Sequence, residues 1–152
     1  MRQQLRRVLP YAPAQLFALV GDVERYPEFV PWVSRLTVAN RRRCDGAELL
    51  DAEAEVGFAI VRERFATRVR LDREALTIEA DLLSGPFRRL QNRWRFSPHP
   101  IGVELDFSID FEFRSRLLKA LLAANMGRAV ARLILCFEKR AASLYGPSAT
   151  AP

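Results

Sequence analysis

From Val103 to Phe113 the chain alternates apolar and polar residues without a break. Val103, Leu105, Phe107, Ile109, Phe111 and Phe113 fall on one parity, and Glu104, Asp106, Ser108, Asp110 and Glu112 on the other. A period of two over this length fits only a strand with one buried and one wet face. It also demands an antiparallel sheet, because strands of a parallel sheet are buried on both faces.

The same pattern recurs upstream. Leu90, Trp94 and Phe96 alternate with Gln91, Arg93 and Arg95, and Leu76, Ile78, Ala80 and Leu82 with Thr77, Glu79 and Asp81. Ala52, Ala54, Val56 and Phe58 alternate with Glu53 and Glu55. Val61, Phe65, Val69 and Leu71 stand opposite Arg62, Arg64, Arg68 and Arg70. Shorter candidates lie at Leu5–Leu9 and Leu36–Asn40. Asp45-Gly46 is a hairpin signal, and Gly57 inside a strand predicts a bulge or bend. The arg ladder of the Val61–Leu71 strand is expected to pair with the acidic ladders beside it.

Two helical stretches bracket the strands. Ala12–Val20 opens with Pro13 in a favoured first-turn position, and Leu16, Phe17 and Val20 share a face. A short turn through Asp22–Tyr26 is expected to stop at Pro27. After Ser115, a plausible N-cap, an apolar stripe of Leu118, Leu122, Met126, Val130, Ile134 and Phe137 predicts one continuous helix from Arg116 to Tyr145. The fold class is therefore α+β: a curved, seven-stranded antiparallel sheet around a long C-terminal helix. A chain of 152 residues suits one domain, expected over residues 1–146, with a disordered tail at 147–152.

Composition sets limits on function. No apolar run approaches the roughly 18 residues of a membrane span, and no signal-peptide pattern follows the basic start, so a cytoplasmic protein is expected. Cys44 and Cys136 lack metal-ligand spacing, and Cys136 reads as a buried free thiol. The single histidine, His99, lies between two prolines, which argues against a His-containing triad or metal cluster. No glycine-rich phosphate loop occurs. The net charge is +6, and all but Lys119 and Lys139 of the 24 basic residues are arginine. Arg116, Lys119, Arg128, Arg132, Lys139 and Arg140 stand against the lone acid Glu138 in the last helix, which makes its outer face the uncompensated positive surface. Such a face suits RNA, an anionic membrane, or simply water.

Several segments together resemble the coenzyme Q-binding START-like proteins, a group that also contains bacterial ribosome-association toxins. They are Asp22-Val23-Glu24-Arg25-Tyr26-Pro27-Glu28-Phe29-Val30-Pro31-Trp32, Arg62 to Val69, Gly85-Pro86-Phe87-Arg88-Arg89-Leu90-Gln91-Asn92-Arg93-Trp94-Arg95-Phe96, and Phe111 to Leu118. Many relatives carry Cys after the Trp where this chain has Val33. The resemblance covers about Arg6 to Tyr145. It implies the helix-grip (Bet v 1-like) fold of the polyketide cyclase and lipid-transfer superfamily, with a cavity between sheet and last helix. It further implies one of two activities: non-enzymatic binding of a prenylated quinone such as ubiquinone, in support of respiration or quinone biosynthesis, or binding of the large ribosomal subunit to block subunit joining. A small-molecule cyclase or hydrolase is a third.

The expected cavity lining comes from inward strand and helix positions: Phe17, Phe65, Thr67, Val69, Phe87, Leu90, Asn92, Trp94, Phe107, Ile109, Phe111, Phe113, Leu118, Leu122, Met126 and Val130, with Phe29 and Trp32 from the loop. Aromatic and Met linings suit a flexible apolar ligand. The residues alone leave open whether this set fills a core or surrounds a pocket. They also leave open whether Phe29 and Trp32 form a lid or a membrane contact, or plug the core. Thr67 and Asn92 fall on apolar faces and need partners: a quinone oxygen, one another, or Arg88. Glu63 is a lone general-base candidate with no oriented second group. Neither a metal nor a catalytic residue is expected. Besides a hydrophobic small molecule, the expected partners are the large ribosomal subunit and, transiently, the inner membrane surface, but not DNA.

Overall fold

The computed structural model describes residues 1–58 and 61–146. The tail expected at 147–152 lies outside them. The strands are β1 (Arg2–Leu9), β2 (Val33–Cys44), β3 (Ala47–Phe58), β4 (Val61–Asp72), β5 (Thr77–Ser84), β6 (Phe87–His99) and β7 (Gly102–Phe113). They form one antiparallel sheet in the order β1-β7-β6-β5-β4-β3-β2. Helix α1 (Pro13–Gly21) and a 3₁₀ turn (Val23–Glu28) carry the chain from β1 at one edge to β2 at the other.

The alternating positions behave as their period demands. Leu105, Phe107 and Phe111 are buried, whereas Asp106 and Asp110 face outward and meet Arg6 and Arg89. Trp94 lies opposite Phe107, and Phe96 opposite Leu105, across the β6–β7 ladder. On the outer face Arg64 pairs with Glu53 and Glu55, and Arg68 reaches Asp51. Asp45 and Gly46 both have positive φ, at 51° and 79°, the geometry of a tight two-residue hairpin turn.

Three expectations need correction. Gly57 makes no bulge, because the β3–β4 register runs in step through Gly57 opposite Arg62. The register shifts lie instead at Val33/Arg35 and near Asn40 in β2, between β4 and β5 where Ala66 and Thr67 face Ser84 and Leu82, and at Phe87/Arg89 in β6. Asn40 takes a positive φ of 55° at its shift, a conformation that asparagine tolerates. Pro27 does not end the turn after α1; the 3₁₀ turn continues through it to Glu28.

The third correction concerns the C-terminal helix. It is not one α-helix: α2 (Arg116–Leu122) and α3 (Met126–Tyr145) are separated by a 3₁₀ turn at Ala123–Asn125. Ser115 does cap α2, its hydroxyl accepting from the Leu118 amide at 3.3 Å. By length and composition Arg116–Tyr145 would suffice to cross a bilayer, yet α3 is the helix the sheet grips. Ile134, Phe137 and Ala141 are fully buried. Its C-terminal end is tied to the α1 region: Tyr145 Oη donates to the Gln15 carbonyl at 3.1 Å, and Tyr11 Oη to the Gly146 carbonyl at 2.9 Å. No residue of α2 is buried. Cys44 and Cys136 are both free, and Cys136 is half-buried rather than buried.

Candidate functional site: an apolar cavity under the C-terminal helix

Small side chains at the middle of the sheet create a hollow. Ala52 and Ala54 on β3 face inward, as does Ala80 on β5. Each lies directly across the ladder from an inward residue of β4: Ala52 from Thr67, Ala54 from Phe65 and Ala80 from Val69. Large residues ring this patch, and α3 lies over it without filling it. The result is a cavity of about 290 Å³ with an almost wholly apolar wall.

Phe65, Thr67, Val69, Phe87, Leu90, Asn92, Trp94, Phe107, Ile109, Phe111 and Phe113 stand on its sheet side. Leu122, Met126 and Val130 close it from the helical side, and Trp32 from the loop before β2. Three other expected residues lie elsewhere. Phe17 is buried and outside the cavity wall, edge-on to Phe96 at 6.1 Å, with Arg73 over its ring at 5.4 Å. Phe29 packs edge-on against Phe137 at 5.2 Å and Tyr26 at 5.8 Å, so it plugs the core behind the wall. Leu118 is half-buried on α2, one turn before Leu122. Reading inward parity alone missed the alanines, Ala52, Ala54 and Ala80, because small residues look like weak core rather than open space. It also missed Leu36, Ile78 and Leu133 on the wall.

Tyr26 contributes its ring to the wall and sends its hydroxyl back to the Val20 carbonyl. Burial pushes this phenol far above the ordinary tyrosine range, and the Asp22 charge adds to the effect. It stays neutral and holds the 3₁₀ turn against α1.

Polar groups on the wall are few. Asn92 is committed: its Nδ2 donates to the Ser108 carbonyl at 2.9 Å, and its Oδ1 accepts from Trp94 Nε1 at 2.8 Å. That network locks the indole in place and leaves out Arg88, which is exposed. Thr67 is different. The residue is buried, it faces the cavity, and no hydrogen bond to its hydroxyl occurs among the described residues. Glu63, half-buried at the strand end, borders both the cavity and a more polar surface hollow beside Arg62 and Arg64. No cluster of three or more metal-ligating side chains occurs among the described residues.

The basic set splits. Arg140 is mostly buried, pairs with Glu28 at 2.9 Å and lies 5.1 Å above the Phe29 ring, so it belongs to the packing of the 3₁₀ turn rather than to a free surface. Arg132 stands 5.9 Å over Trp32. Arg116, Lys119, Arg128, Arg132 and Lys139 are exposed, and no carboxylate among the described residues pairs with them.

A curved antiparallel sheet gripping a C-terminal helix over an apolar cavity defines the helix-grip, START-like class of proteins. The chain belongs to the polyketide cyclase / dehydrase and lipid transport family, whose profile matches residues 9–138. It is 34% identical over 141 residues to the ribosome association toxin RatA of Rickettsia prowazekii, covering 91% of this chain and 94% of that protein. It is 32% identical to the mitochondrial coenzyme Q-binding protein COQ10 homolog B of Xenopus laevis, covering 92% of this chain but 57% of that protein's length. Among solved structures, the 18 kDa protein CC1736 of Caulobacter crescentus superposes with a TM-score of 0.82 at 51% identity, covering 96% of this chain and 99% of that one. A START superfamily protein of Mycobacterium smegmatis shares the fold at 19% identity with a TM-score of 0.77, covering 95% and 97%.

Proposed function

We propose that this chain is a non-enzymatic carrier that holds the head group of a prenylated quinone of the ubiquinone class in the cavity. The observation that supports this reading most is the Thr67 hydroxyl. A hydroxyl that opens onto an otherwise apolar cavity without a protein partner can hydrogen-bond a ligand oxygen there. A ligand that fits must be apolar over most of its surface and carry an oxygen at one place, as a methoxylated benzoquinone does. Aromatic walls, with Trp94 and Phe107 centred 4.7 Å apart, suit a flat ring.

A cavity of about 290 Å³ lies at the lower end of the range for small-ligand sites, so a substituted quinone ring fits it more readily than a long polyprenyl tail. Support from outside the structure comes from the relative described as coenzyme Q-binding. The proposed setting is the cytoplasm, with access to the inner membrane where such quinones reside.

The test is extraction. Purified protein from cells that make ubiquinone, analysed by native mass spectrometry and by solvent extraction, should carry one isoprenoid quinone per chain. Protein that carries none, even after incubation with short-tailed ubiquinone, would end this reading.

A second reading has its own observation: five exposed cations on the C-terminal helices with no carboxylate partner among the described residues, in a chain related to proteins described as ribosome association toxins. On that reading the protein co-sediments with the large ribosomal subunit, and charge reversal at Arg128 and Arg132 weakens the association in a salt-dependent way. A third, cyclase-type chemistry, would route through Glu63. Glu63→Gln should leave a carrier unaffected and abolish such an activity.

A further inference from the structure

Helix α2 reads Arg-Leu-Leu-Lys-Ala-Leu-Leu, its four leucines on one broad face and Arg116 and Lys119 on the rest. An apolar helix face is normally buried, yet no residue of α2 is buried, and Leu117 and Leu121 are 68% and 45% exposed. Leu122 and then Met126 close the cavity. The contrast with α3 is physical. Ile134, Phe137 and Ala141 anchor α3 to the sheet, and hydrogen bonds from Tyr11 and Tyr145 fasten its far end. The α2 end has neither, and a 3₁₀ turn separates it from the anchored part.

Charge says what this outward face meets. Arg116 and Lys119 stand on α2 beside the leucines, and Arg128 follows on the first turn of α3; all three are exposed and pair with no carboxylate among the described residues. A second copy of the chain would bring the same cations against them. RNA would satisfy the cations but leave the leucines in water. Leucines flanked by unpaired basic groups match an anionic bilayer, whose headgroups take the charges while its acyl boundary takes the apolar side chains.

We propose that α2 docks this protein on anionic lipid bilayers through Leu117 and Leu121, with Arg116, Lys119 and Arg128 at the headgroups. Because the same turn borders the cavity, the docked protein faces the ligand's entry path toward the lipid. A tail too long for the cavity then stays in the bilayer while the head enters. This last point rests on the quinone reading; the docking itself does not.

Two measurements separate them. In the first, the full-length protein is sedimented with vesicles of phosphatidylcholine alone or with about a third phosphatidylglycerol, with no quinone present. The wild type should bind the anionic vesicles and lose binding as salt rises. Leu117→Gln/Leu121→Gln should weaken binding at least tenfold, and Lys119→Glu/Arg128→Glu should do the same. Both variants should keep the wild-type melting temperature, since the altered groups are exposed. In the second, decylubiquinone is offered either from detergent solution or from anionic vesicles, and uptake is read by tryptophan quenching. The leucine variant should match the wild type from detergent and fall behind from vesicles.

Wild-type protein that ignores anionic vesicles, or a leucine variant that binds them as well as wild type, overturns the docking proposal. So does binding only to ribosomal subunits with the leucines immaterial. Normal vesicle docking with no quinone uptake from either source would refute the quinone reading and leave the docking standing.

Discussion

Replacing Ala54 by leucine distinguishes a cavity from a filled core by the sign of its effect. Ala54 is buried, and its side chain faces the hollow across from Phe65. Leucine adds three carbons, on the order of 80 Å³, into a space of about 290 Å³. Residual void costs about 24 cal/mol per Å³, so filling this share of it should stabilise the ligand-free protein by up to about 2 kcal/mol. For a chain of this size that is a rise of roughly 4–8 °C in melting temperature. In a closely packed core the same three carbons would cost about 1–3 kcal/mol instead. The assay is differential scanning calorimetry on delipidated wild type and Ala54→Leu, followed by quinone titration of both. The expected outcome is a more stable protein that no longer binds. A destabilised variant that still binds quinone would refute both the hollow and its role.

Three further outcomes follow from other features. Thr67→Val removes the hydroxyl that faces the cavity; quinone affinity should fall about fivefold, the worth of one hydrogen bond of about 1 kcal/mol, while a purely hydrocarbon isoprenoid binds as well or better by the same titration. Gly85 has a φ of 142°, and a Cβ there would sit 2.5 Å from that of Phe65, so Gly85→Ala should cost about 1–3 kcal/mol and lower the melting temperature by several degrees. Asp51 accepts from Asn40 Nδ2 at 2.8 Å and sits near Arg42 and Arg68, and the Asn40 bond first, then those charges, hold its carboxyl below the ordinary 3.8. A depressed folded-state value means stability present above the ordinary pKa and lost as pH falls through the folded one. Acid unfolding of Asp51→Asn should therefore lack part of the wild type's pH dependence below about pH 3.8.

Period-two patterning was sufficient to place five of the strands, because each has one buried face whose parity cannot slip without inverting every side chain. The β7 positions Phe107 and Phe111 and the β6 position Trp94 illustrate this: each is buried where parity puts it. Strand ends were less legible. β2 runs from Val33 to Cys44, well past the stretch its apolar residues suggest, because its Arg41–Arg43 end is an exposed continuation that pairs with Glu48 and Leu49. The break between α2 and α3 was invisible, since Ala123, Ala124 and Asn125 suit either helix type by propensity. The walls of the cavity were legible, but the hollow itself was not. Its cause is the coincidence of Ala52, Ala54 and Ala80 on the two strands that flank β4, which only the registers bring together. Arg140 looked like free positive charge because sequence cannot show Glu28, 112 positions away, lying against it.

Both tryptophans of the chain, Trp32 and Trp94, stand on the cavity wall. Titration of delipidated protein with short-tailed ubiquinone, read by their fluorescence, therefore reports directly on whether a quinone enters the cavity. Saturable quenching at one quinone per chain, lost in Ala54→Leu, is the predicted result. Quenching that rises without saturation, or that persists unchanged in Ala54→Leu, would contradict it.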